Sequence, residues 1–138
     1  MLAFLALAAT ATPIPVDAAL LAGLPRHEAA FTAHGVRHVC AGPLLRDVLA
    51  RAGVPQGEAL RGPALARGVI VRARDGYAVM FSLGELDASL GNRTAILADT
   101  CDGAVIPAAD GPVRLVVEGD ARPARSERQV AALELVAP

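Results

Sequence analysis

The chain has no lysine and no tryptophan, and aromatic residues make up only 3% of it. All thirteen basic side chains are arginine, against fourteen acidic ones, for a net charge of −1. No basic run could neutralise a line of phosphates, which excludes nucleic acid as a partner. With so few rings, the core must be built from Ala, Val, Leu and Ile packed between close backbones. No stretch reaches the 18 or so apolar residues of a membrane span, so the mature chain is expected to be soluble. The one apolar run is MLAFLALAATAT at the start, ending in Ala9-Thr10-Ala11, a small-x-small cleavage pattern. Residues 1–11 therefore read as a signal-peptide remnant and 12–138 as one domain, placed in the periplasm or outside the cell. A buried first strand or helix is the alternative. Also missing are HExxH, GxSxG, GxGxxG, a Walker loop and paired CxxC. There are two cysteines, which could pair in an exported chain, although spacing alone does not require it.

What is present is a succession of short elements separated by tight turns. Asp17 is placed to cap a helix over 18–21. His34-Gly35 reads as a two-residue hairpin turn that sets Ala33 opposite Val36, Phe31 opposite His38 and Ala29 opposite Cys40. In HVCAGPLLRDVLARAG, Gly42 reads as an N-cap, Pro43 as the first helical residue and Gly53 as the stop. Leu44, Leu45, Val48, Leu49 and Ala52 form the buried stripe, and Asp47 and Arg51 form an exposed i,i+4 pair. Asp75-Gly76 predicts a second hairpin, between strands 69–74 and 77–81. Ser82 with Glu85 is a capping box for a helix running to Leu90. Strands follow at 95–100, 104–106, 113–118 and 130–136. The class is α+β, with a mixed, largely antiparallel sheet and short helices.

Two groups of residues could carry chemistry. His27, His38 and Cys40 share a hairpin face and are good ligands for zinc or copper, but the same face carries Ala29, Phe31 and Val36 and suits a packed cysteine equally well. In DARPARSERQV, Arg122, Arg125 and Arg128 surround Ser126, a set of donors able to grip a phosphate or carboxylate. The alternative is a solvated loop whose arginines pair with Glu127, Asp120 and Glu118. The Asn92-Arg93-Thr94 sequon reads as a loop.

Four stretches, in order, resemble the oxidoreductase molybdopterin-binding domain of the sulfite oxidase superfamily, in particular its short exported bacterial members. AGPLLRDVLARAGV resembles the family's Gly-x-Pro-Leu-x-Asp-Leu-Leu helix start, and DGYAVMFSLGELD its Gly-Tyr strand leading into a helix. ILADTCDGAVIPAADGPVRLVVEGD resembles its strand, turn and Arg-Leu-Val-Val-x-Gly block, and ARSERQV its pterin-contacting Ala-Arg-Ser-x-Lys/Arg segment. Together they span roughly residues 38–136. The resemblance implies a sulfite-oxidase-like fold, molybdopterin as cofactor, and phosphate and pterin contacts at Arg125, Ser126 and Arg128. The family's molybdenum cysteine lies well upstream of its helix motif, where this chain has no counterpart, and Cys40-Ala-Gly copies the ligand motif only superficially. Cys40 is therefore expected as a buried strand cysteine, with no catalytic or metal residue assigned. Two functions follow: a truncated molybdopterin-binding protein of doubtful catalytic activity, or a non-catalytic envelope module on the same fold that binds a small anionic ligand or a partner.

Overall fold

A computed structural model describes residues 12–138; the expected signal-peptide remnant lies outside them. The first elements are β1 (Ile14–Pro15) and α1 (Ala18–Leu21), whose first turn is capped by the Asp17 side chain accepting from Leu20 N at 2.8 Å. The first hairpin, β2 (Arg26–Ala33) and β3 (Val36–Pro43), has the expected register throughout, including Ala29 opposite Cys40. Its turn works because His34 and Gly35 both adopt positive φ, 52° and 75°.

Beyond Cys40 the structure departs from expectation. Gly42 and Pro43 do not open the helix; they finish β3, and α2 covers Leu45–Arg51 with Leu44 at its N-cap. The physical reason is a close crossing. A Cβ at Gly42 would stand 2.1 Å from the carbonyl oxygen of Leu97, so the strand can approach β6 (Ala95–Ala98) only with glycine there. Leu45, Val48 and Leu49 are buried as the helical stripe requires, whereas Leu44 turns to a different cluster. Arg51 makes no pair with Asp47; it donates to the carbonyls of Leu20 and Ala22 and ties α2 to α1.

The second hairpin joins β4 (Gly68–Ala73) to β5 (Ala78–Ser82). Its loop has three residues rather than two: Ala73 N donates to Tyr77 O, and Gly76 takes positive φ at the last loop position. Ser82 and Glu85 form the capping box of α3 (Leu83–Leu86), which stops short of the expected Leu90. Then follow β6, β7 (Thr100–Cys101), β8 (Ala104–Val105), β9 (Arg114–Val117) and β10 (Val130–Val136). Three ladders result, β1-β10-β4-β5, β2-β3-β7-β8 and β6-β9. The α+β class holds, but every pairing among the described residues is antiparallel and the sheet is not mixed. A bridge between Leu44 and Ile96 stitches the second ladder to the third.

The β6-β9 ribbon is apolar on both faces. Ala95, Leu97, Leu115 and Val117 join a large cluster with α2, β4, β5 and β10, while Ile96, Ala98 and Val116 join a smaller one with Ala29, Phe31, Cys40 and Leu44. The smaller cluster is covalently closed. Cys40 and Cys101 face each other across β3 and β7, their Cα atoms 3.9 Å apart, and form a disulfide. The pairing that the sequence left open is thus made. Cys40 is buried in the strand as foreseen, but bonded, because β7 lies directly beside it.

Candidate functional site

The C-terminal Arg-Ser-Glu-Arg segment follows a short 3-10 turn at Pro123–Arg125, and its residues point to different places. Arg125 closes a structural clamp. Its Nε and Nη2 donate to both oxygens of Asp120 at 2.9 and 3.0 Å, and its Nη1 donates to Glu85 at 3.3 Å. The guanidinium also lies over the Phe81 ring, 4.7 Å from its centre. The hydrogen bonds to Asp120 raise the Arg125 pKa, and the same contacts, with Arg93 adding to them, hold the Asp120 carboxyl below the usual carboxylate range. Ser126 is only 4% exposed, and its hydroxyl accepts from Val117 N at 3.0 Å. Arg128 reaches outward and touches Asp110 at 3.4 Å. Of the expected trio, Ser126 and Arg128 line a common pocket and Arg125 is not among its lining residues. The loop alternative is right for Arg125 and Asp120. It does not hold for Glu118, which accepts from Ala30 N, or for Glu127.

A cleft of about 660 Å³ opens between the β2-β3 hairpin, the β7-β8 hairpin and the loops before β9 and β10, lined by Phe31, His38, Cys101, Arg114 and Arg128 among others. Arg114, absent from the sequence-based set, is one of these lining residues. Its guanidinium lies 4.4 Å from the Phe31 ring centre, and one nitrogen donates to Ser126 O at 3.1 Å. It has no carboxylate within ion-pair distance, and its buried Nε has no partner. Burial lowers its pKa, Asp110 opposes that shift and the neighbouring Arg128 adds to it. His38 also stacks on Phe31, centroids 5.2 Å apart, and its Nδ1 is 2.7 Å from Asp102. That hydrogen bond lowers the Asp102 pKa. The expected His27, His38 and Cys40 constellation does not form a ligand set: His27 is exposed, His38 is paired with Asp102 and Cys40 is bonded to Cys101. Among the described residues no group of three His, Cys, Asp or Glu is poised for a metal ion.

A smaller pocket of about 250 Å³ shares Arg114, Pro123 and Arg128 with the cleft and is completed by Asp75, Tyr77 and Glu127. Glu127 is 3% exposed and neither carboxyl oxygen has a partner. Burial, with the charge of Asp75 adding to it, raises its pKa from 4.5 to about 8. The unfolded chain loses this proton near 4.5 while the folded chain keeps it to about 8, so stability falls as pH rises through that window. Glu127→Gln, which removes the charge and keeps the shape, should flatten this dependence. Relative to the parent it should gain about 2–3 kcal/mol between roughly pH 5 and pH 7.5, read from urea midpoints. Parallel pH profiles for the two proteins would show that Glu127 is not a strained acid.

Arg114 and Glu127 were the residues that sequence patterns missed. The available signal was a charged residue heading the apolar run Arg-Leu-Val-Val; nothing in the sequence marked Glu127 as the acid that stays unpaired.

A molybdenum-pterin group does not fit these residues. Both cysteines are joined to each other, so no thiolate is on offer, and the arginine expected to hold the pterin phosphate is fully engaged by Asp120 and Glu85. A scan against family models and a search of curated proteins found no match to this chain.

Proposed function

We propose that the chain is an exported, non-catalytic binding module, built on a sulfite-oxidase-like fold, that takes a small anionic ligand in the cleft beside Arg114 and Arg128. The observation that carries this reading is Arg114, a half-buried guanidinium with no carboxylate partner, set next to a second arginine in a cleft of about 660 Å³. A desolvated and unpaired cation is costly unless an anion completes it. Phe31 packs against the guanidinium at 4.4 Å, and the amino nitrogen that does not bond Ser126 O is the donor a carboxylate or phosphate would meet. Export is supported by the disulfide and by the apolar start of the chain. No helix among the described residues is long and apolar enough to cross a membrane. Molybdopterin, the cofactor the resemblance implies, would enter this reading only as one phosphate ester among others.

Inorganic phosphate titrated into the oxidised protein at low salt tests it. Binding should weaken as salt rises, and Arg114→Gln should reduce it about tenfold or more, with Arg128→Gln losing less because that side chain is solvated. Arg125→Gln should leave the isotherm unchanged. Loss of binding in the Arg125 variant alone would return the grip to the site implied by the resemblance and overturn the present one.

A further inference from the structure

The smaller pocket carries charge of both signs. Arg114 and Arg128 line it together with exposed Asp75, the Tyr77 ring and part of Glu127, whose carboxyl is buried. The Tyr77 hydroxyl donates to Ala124 O at 2.6 Å, and Asp75 accepts from Tyr77 N at 2.9 Å, so the ring and the carboxylate are held in place. A carboxylate, an aromatic ring and an unpartnered buried acid are three groups that each favour a cation. Two arginines favour an anion. A simple anion would satisfy the arginines and be repelled by the acids.

Resting on the anion-binding reading above, we infer that the ligand is a small zwitterion, its phosphate or carboxylate held by Arg114 and Arg128 and its ammonium group facing Asp75, Tyr77 and Glu127. Glu127 lies behind the pocket wall, with both oxygens shielded from solvent. An ammonium group brought against that wall stabilises its carboxylate through a poorly screened interior and draws off the proton it holds when the pocket is empty. The groups facing this acid are Asp75, which opposes its ionisation, and Arg114 and Arg128, whose charge the ligand's own anion offsets. Binding is therefore coupled to proton release.

Phosphoethanolamine, inorganic phosphate and ethanolamine are the probes, titrated calorimetrically near pH 7 in buffers of different ionisation enthalpy. Phosphoethanolamine should bind about tenfold or more tightly than phosphate and release up to one proton, while ethanolamine alone binds weakly. Glu127→Gln, which should fold at least as well as the parent, should lose the preference and the proton release yet still bind phosphate. Equal affinity for phosphate and phosphoethanolamine without proton release would overturn the zwitterion and leave Glu127 a buried structural acid. Failure of every probe, phosphate included, would overturn the anion reading itself. Vesicles containing phosphatidylethanolamine separate the two sources of this chemistry: capture of the vesicles assigns a membrane headgroup, and binding of the free compound alone assigns a soluble metabolite.

Discussion

Replacing both Cys40 and Cys101 by alanine should lower stability by about 4 kcal/mol, the chain-entropy expectation for a loop of this length; the two cysteines are 61 residues apart in sequence. The midpoint of thermal unfolding should fall by roughly 10 °C or more, and reducing the wild-type protein should produce the same shift. The bridge joins the first hairpin to β7, which has only two residues and pairs with β3 through two positions. Without the covalent link β7 and β8 are held over the cleft by those ladder positions and by the contacts of Asp102 with His38 and Val39. Coincident melting curves for oxidised and reduced protein would show that the smaller cluster stands without it.

Gly42→Ala should cost about 3 kcal/mol or more, because the new methyl group meets backbone and not a movable side chain. Its Cβ would lie 2.1 Å from Leu97 O and 2.8 Å from Ala98 Cα, so β3 and β6 must separate. Gly84→Ala is the matched control: its Cβ would meet only the ends of Leu90 and Leu65 side chains at 3.7 and 3.9 Å, inside α3 where alanine is the better residue. Urea midpoints of the two variants should move in opposite directions. A tolerated alanine at position 42 would mean that the strand crossing is looser than described.

Local chemistry made much of this fold legible. His34-Gly35 announced a turn whose geometry set the β2-β3 register, and Ser82 with Glu85 announced the start of α3, because each depends on residues adjacent in sequence. Gly42 shows where such reasoning ends. A glycine before proline looks like a helix start, and only the presence of Leu97, 55 positions later in the numbering, reveals that it is a crossing point. The disulfide and Arg114 were hidden for the same reason, since each is defined by a partner from a distant segment. At the candidate site, Ser126 and Arg128 could be found from the sequence, but the competition for Arg125 between a ligand and Asp120 is decided by the turn that brings Asp120 within 2.9 Å.

The two-faced ribbon of β6 and β9 has a consequence for how the chain reaches this structure. A strand with no polar side cannot rest on water at any stage. The ribbon becomes stable only when segments from both ends of the chain have closed over it, β2-β3 on one face and β4, β5 and β10 on the other. Such non-local closure delays the reward for each loop that must form, placing the protein among domains whose folding takes milliseconds to seconds. Until closure, AILA and the LVV that follows Arg114 are bare apolar segments, and they are where two unfinished chains would join.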